Sequence, residues 1–253
     1  MQNYTYLCSK NFVQKRKQKQ KNRMECKVIA HIKTDFVTKF GVPRQSGLVP
    51  ELMGKIIFEP EYRVAEALRG LEGYSHLWLI WEFSGVTATR DERSREWTPT
   101  VRPPRLGGNV RMGVFATRSP FRPNPIGLSS VEIERIELST PEGPVIYVRG
   151  ADLMDGTPIL DLKPYLPFTD SHPQARGGFT TQTYEQKPLN VIIPDTLYTS
   201  YNLNEAQWQA LRKVLSQDPR PHYQHDDTRV YGIEFAGHEF HFTIKDDVLT
   251  VCE

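Results

Sequence analysis

The chain has 253 residues, 38% apolar and 25% charged, which is the balance of a globular protein with one good-sized core, or one core and a small appendage. No apolar run approaches the roughly 20 residues that span a bilayer, and the longest, "LWLIWEF", is strand-sized, so an integral membrane protein is excluded as an expectation. Its three cysteines, Cys8, Cys26 and Cys252, are scattered, which suits a reducing cytoplasm better than a disulfide framework or a thiolate zinc site.

Residues 1–23 carry seven Lys or Arg and no acid, leaving 25 basic against 30 acidic residues in Met24 to Glu253. This basic extension lacks the apolar stretch of a secretory signal. It is read as a disordered, solvated tail, or as translation begun upstream of Met24; RNA binding by counterion release is the sharper alternative. From Met24 onward, "CKVIAHIKT", "GKIIFE", "HLWLIWEF", "MGVFAT", "LSSVEIERIEL" and "PVIYVRGADL" are alternating or β-branched runs bounded by turn residues. They predict short strands. Between the second and third, "EYRVAEALRGLEG" places Val64, Ala67, Leu68 and Leu71 at helical spacing. Many short strands around one helix argue for a mainly β domain over 24–170, a barrel or sandwich rather than an alternating α/β sheet.

Inside that domain, five arginines (Arg102, Arg105, Arg111, Arg118, Arg122) fall between Val101 and Arg122 with no lysine and no acid. A guanidinium offers a planar fork of donors suited to carboxylate or phosphate oxygens, so an all-arginine choice favours anion recognition of fixed geometry. Pairing with distant acids is the plainer reading. Pro120, Pro123 and Pro125 stiffen the end of this stretch, excluding a helix interior or a central strand. A loop so braced has lost much of its ordering entropy in advance, as a site needs if Arg118, Arg122 and Asn124 must already be aimed when a ligand arrives. The glycine-bearing turns "GVPRQSGLVP", "PPRLGGNVRMG" and "GADLMDGTPILDLKPYLP" pair glycine or proline with charged groups near strand ends, where binding loops gather.

Past "KPYLPF", residues 171–201 are polar, dotted with glycine and proline, and are read as a linker. Residues 202–253 then predict a small α+β unit, helix plus hairpin: "NLNEAQWQALRKVLSQ" carries an Asn cap and the stripe Trp208, Leu211, Val214, Leu215, and "AG" and "KDD" mark turns in "RVYGIEFAGHEFHFTIKDDVLTVCE". In "DPRPHY" between them, Arg220 is locked between two prolines near Tyr223, an arrangement that suits an unstacked nucleotide, or simply a helix-stopping turn. No GxGxxG, GxxxxGK[ST] or GxSxG motif occurs, and the histidines of "HYQHDDTRVYGIEFAGHEFH" lack a standard ligand spacing, so dinucleotide, P-loop, hydrolase and metal readings are disfavoured.

"FGVPRQSGL", "GLEGYSHLWLI", "WTPTVRPPRLGGNVRMGVFATRSPFRPNPIGLS", "DGTPILDLKPYLPF" and "QDPRPHY" together resemble the TsaA-like (TrmO) family of tRNA N6-threonylcarbamoyladenosine N6-methyltransferases. The resemblance runs from about Phe40 to Phe168 and resumes at Gln217. It implies a β-barrel methyltransferase unrelated to the Rossmann type, using S-adenosylmethionine, acting as a cytoplasmic homodimer with the cofactor near the subunit interface, and taking as partner a tRNA with threonylcarbamoyladenosine 3′ of the anticodon; no metal is implied. By motif position, the resemblance carries cofactor contacts onto Ser46, Gly47, Leu48, Ser84, Gly85, Arg118, Leu128, Arg149, Gly150, Ala151 and Asp152. RNA contacts are expected on Arg102, Arg105, Arg122, Lys163, Arg220 and Tyr223. Methyl transfer needs a nitrogen in line with the methyl-sulfur bond and a place for that nitrogen's proton, so Asp152, Asp155 and Asp161 are candidate acceptors and Asn124 a hydrogen-bonding group. A non-catalytic RNA- or nucleotide-binding regulator on the same barrel is the alternative.

Overall fold

The computed structural model describes residues 25–84, 97–106, 108–183, 188–220 and 226–252. Alternation decides the first half. In β2 (Met53–Phe58) and β3 (His76–Glu82) every second residue is buried, as a strand with one face on a core requires. With β1 (Ala30–Lys33), β6 (Ile126–Glu137), β7 (Val145–Arg149) and β8 (Pro158–Pro164) they form a closed barrel in the order β1-β2-β7-β6-β3-β8. All neighbours are antiparallel. Ala30, Ile32, Ile56, Leu77, Leu79, Val131, Ile146, Val148 and Ile159 fill the interior. Closing the ring leaves no open sheet edge within it.

Three local readings need correction. "EYRVAEALRGLEG" is not an α-helix but three single 3-10 turns, Pro60–Tyr62, Ala65–Leu68 and Leu71–Gly73. Gly70 breaks the run in the left-handed region (φ 85°), and of the proposed stripe only Leu68 is buried. "MGVFAT" supplies a two-residue strand, β5 (Met112–Gly113), paired with β4 (Thr100–Val101), and then turns through Val114–Ala116. Finally, β8 falls within a stretch that reads as a turn, because prolines stand at both its ends. It is the stave that closes the barrel, pairing Ile159 with Ala30 on one side and Leu162 with Leu79 on the other.

The C-terminal unit is a sheet in the order β10-β11-β12-β9, from β9 (Asn190–Ile192), β10 (Tyr231–Phe235), β11 (His238–Lys245) and β12 (Val248–Cys252). It is covered by α1 (Asp195–Ser200) and α2 (Glu205–Ser216). Asn204 caps α2 in a reciprocal capping box with Gln207, as its sequence predicts. The expected linker therefore carries structure: β9 runs parallel to β12, and Val191, Ile193 and Leu197 are buried with Trp208 and Leu211. A three-residue strand between two prolines is too short to show a period. The same core takes in Phe36, Val49 and Leu52 from the β1–β2 connection, which joins the two units.

Candidate active site

The β1–β2 connection, the proline-braced segment and the β7–β8 connection meet at one end of the barrel. Gly47 N donates to Gly150 O (2.9 Å), and Gly150 N to Leu52 O (2.8 Å). Both glycines have positive φ (76° and 72°), and a Cβ on Gly150 would lie 3.2 Å from the Gly47 backbone. Only glycine permits so close a crossing. One residue before, Ser46 Oγ accepts from Ser130 N on β6 (3.1 Å). Arg118 reaches the same connection, donating through Nη1 to Gln45 Oε1 (2.5 Å).

Asp152 sits between Ala151 and Leu153, which are buried. The Ser129 hydroxyl donates to its Oδ1 at 2.6 Å. Burial pushes the Asp152 carboxyl above the usual aspartate range; the Ser129 hydroxyl, Asp152's own amide, Arg118 and the Ser46 amide pull the other way. Ser129 is itself 1% exposed and accepts from Trp81 Nε1 at 3.0 Å. The indole lies where a side chain at position 127 would stand, since a Cβ there would come within 2.2 Å of Trp81, so Gly127 makes its room. Sequence reading singles out neither Ser129 nor Trp81 for a site. The available signal is parity: Ser129 shares the inward phase of Gly127 and Val131 on β6, a polar group aimed into a core.

Of the expected cofactor contacts, the structure thus gathers Ser46, Gly47, Arg118, Gly150, Ala151 and Asp152. Leu48 is adjacent, its carbonyl accepting from Gln217 Nε2 of the C-terminal unit (3.0 Å). Leu128 is exposed on the outer barrel face, two residues from Ser130. Ser84 follows Phe83, whose amide donates to Pro125 O (2.9 Å), so the end of β3 is tied to the end of the proline segment. Gly85 lies outside the described residues. The Arg149 guanidinium is engaged by Pro50 O and Glu134 Oε2, both at 3.2 Å.

The other expectations fare differently. The Arg122 guanidinium is engaged within its own loop: it donates to the carbonyls of Ser119 (3.0 Å), Val114 (3.2 Å) and Thr117, bracing that loop from within. Arg220, expected to contact RNA, is buried and forked onto Asp218 through Nε (2.9 Å) and Nη2 (2.8 Å). Tyr223 and the side chain of Arg105 lie outside what the structure describes. Arg102 is exposed on the arm of β4, and Lys163 is exposed on β8, 2.9 Å from Asp161. Asn124 is exposed at the base of the proline segment. Asp155 is not with Asp152: it accepts from Thr34 N (3.1 Å) and Lys33 Nζ (3.2 Å), closing the turn after β1. Among the described residues no group of three or more His, Cys, Asp or Glu could hold a metal, and no helix is long and apolar enough to cross a membrane.

A guanidinium beside a carboxylate, at an edge where two glycine backbones cross, matches an α-amino acid end: the cation takes its carboxylate and the anion its ammonium. At Gly47 no atom of the described residues lies within 4 Å of the point where a Cβ would stand, which leaves space for a ligand to lie against the backbone. Fold and site together define a small antiparallel-barrel protein that gathers a guanidinium, a carboxylate and two crossing glycine backbones at its loop end. Residues 31–171 match the tRNA-methyltransferase O N-terminal domain and residues 186–253 the TrmO C-terminal domain; the chain belongs to the TrmO family. The tRNA (adenine(37)-N6)-methyltransferase of Escherichia coli K12 is 42% identical over 200 residues, 78% of this chain and 82% of that one. A Pseudomonas aeruginosa relative named "Putative S-adenosylmethionine-dependent methyltransferase RcsF" is 36% identical over 222 residues, 85% of this chain and 90% of that one. The crystal structure of TrmO from Pseudomonas aeruginosa superposes with a TM-score of 0.70 at 29% identity, covering 91% of this chain and 98% of that one.

Proposed function

We propose that this enzyme methylates N6 of adenosine 37 in tRNA, with S-adenosylmethionine as donor and the threonylcarbamoylated adenosine as acceptor. The observation that carries this reading is the meeting of Ser46–Gly47, Arg118 and Gly150–Asp152 at one edge, in a chain whose relatives are named for N6-methylation of tRNA adenine 37. When bound, the donor supplies an electrophilic methyl group on a sulfonium. Arg118 would hold the carboxylate of its amino acid end, and Asp152 would offset its positive charge. The Gly47 backbone would leave room for the nucleoside. Arg122 keeps the proline segment rigid, so that Arg118 is already aimed. Asn124 stands at the rim to hydrogen-bond the adenosine. Arg102 and Lys163, both exposed, meet phosphates.

The reaction takes place in the cytoplasm on a homodimer. Supporting the dimer, Phe115 is 74% exposed just ahead of Arg118, and Ile126 and Leu128 are exposed just beyond the prolines, so apolar surface flanks the site. Incubating the purified protein with S-adenosylmethionine and tRNA bearing threonylcarbamoyladenosine, followed by nucleoside mass spectrometry, is expected to yield the N6-methylated nucleoside. No methylated product, with tRNA still bound, would instead identify a regulator.

A further inference from the structure

We infer that Trp81 and Ser129 are positioning residues for Asp152, a buried one-way chain of donors that keeps its carboxylate an acceptor at the mouth of the site. The inference rests on the reading of Asp152 as a donor-site residue.

An indole N–H can only donate, and a serine hydroxyl has one proton to give. Trp81 Nε1 therefore occupies a lone pair of Ser129 Oγ at 3.0 Å, and the serine proton goes to Asp152 Oδ1 at 2.6 Å. With Ser129 buried, its proton has no water to turn to. The direction of the chain is fixed from the barrel interior outward. A protonated carboxyl would have to carry its hydrogen on Oδ2, and the serine's bond to Oδ1 is stronger to a carboxylate than to an acid, so the arrangement opposes the upward pull of burial. It also fixes the carboxyl plane, whose rotation would break the short hydrogen bond.

The frame holding this chain is rigid at each step. Trp81 is paired with Gly127 across β3 and β6, and its ring packs against Phe83 with centroids 4.3 Å apart. A bulge in the β3–β8 pairing falls between Ile80 and Trp81, a device that bends a strand and redirects a side chain. Among the described residues, Arg118 from the proline segment is the charged side chain acting on Asp152; Ser129 of β6, Trp81 of β3 and the Ser46 amide of the β1–β2 connection do not titrate near neutrality.

The test is the pH dependence of S-adenosylmethionine affinity, by calorimetry from about pH 4, the ordinary aspartate range, to about pH 8.5, alongside methyl transfer and thermal melting. Ser129→Ala is expected to weaken binding about tenfold at the acid end, with recovery toward the alkaline end as Asp152 ionises. Trp81→Phe, which keeps a ring but frees the serine hydroxyl to turn, should shift the profile the same way by less. Ser129→Thr, which keeps the hydroxyl, should restore the native profile. Should Ser129→Ala fail to fold, Trp81→Phe carries the test. Native pH profiles in these variants, with Asp152→Asn binding weakly, would overturn the inference and leave the site reading intact. Native binding by Asp152→Asn would instead remove the reading on which it rests.

Discussion

Arg122 shows how a charge can serve a site without touching a ligand. Three carbonyls of its own loop take its guanidinium, and the Thr117 and Ser119 hydroxyls accept from the amides of Ser119 and Phe121, so the proline segment is a self-braced unit. Lysine is a point donor and cannot bridge such a fork. Arg122→Lys is therefore expected to cost about 1 kcal/mol or less in global stability yet lower methyl transfer by about tenfold or more, through loss of aim at Arg118. A thermal melt paired with single-turnover rates checks it; equal losses in both would mean that the brace serves the fold alone. Sequence reading counts Arg118 and Arg122 alike as ligand-facing. What separates them is which carbonyls lie within reach, a property of the folded loop.

Among the elements, α2 depends on its start. Its first turn has one reciprocal box, Asn204 Oδ1 accepting from Gln207 N (2.9 Å) and Gln207 Oε1 from Asn204 N (3.1 Å). Asn204→Ala should destabilise the C-terminal unit by about 1 kcal/mol, seen as a lower denaturant midpoint, and leave the donor affinity unchanged. The Asn cap, the α2 stripe and the strands β2, β3, β6 and β7 are legible because each carries a period that one face on a core imposes. β8 is not, since Pro158 and Pro164 at its ends look like turn signals until the partner strands are known to leave those amides unneeded. The 3-10 turns after β2 mislead for the opposite reason: apolar residues at helical spacing remain largely exposed over a short crossing. Of the site, the arginine and glycine loops are visible as composition. The Trp81–Ser129–Asp152 chain joins residues 23 and 48 positions apart, and only strand pairing makes it one object.

On the scale of the whole molecule, Asp35 links the barrel end to the C-terminal unit. Its carbonyl accepts from Ala236 N (2.8 Å) and its Oδ1 from Gln207 Nε2 (3.1 Å). Burial raises its carboxyl above the usual range; Gln207 opposes this, and Asp155 adds to it. The folded protein thus holds the Asp35 proton more tightly than the unfolded chain, so this group's contribution to stability falls as pH rises from the ordinary aspartate value through the raised one and is level above that. Asp35→Asn, which can still accept from Gln207, should remove that step, leaving a variant more stable than the native protein near neutrality and not at the acid end, as urea midpoints at the two extremes would reveal. The ring itself has a further consequence. β8 stands between β3 and β1, the last stave made and the neighbour of the first. A nascent chain that has not reached Pro158 is an open five-stranded ribbon with bare edges on β1 and β3, each able to zip onto a sister chain. Synthesis stalled or terminated in the β7–β8 connection should therefore yield aggregates rather than a soluble fragment.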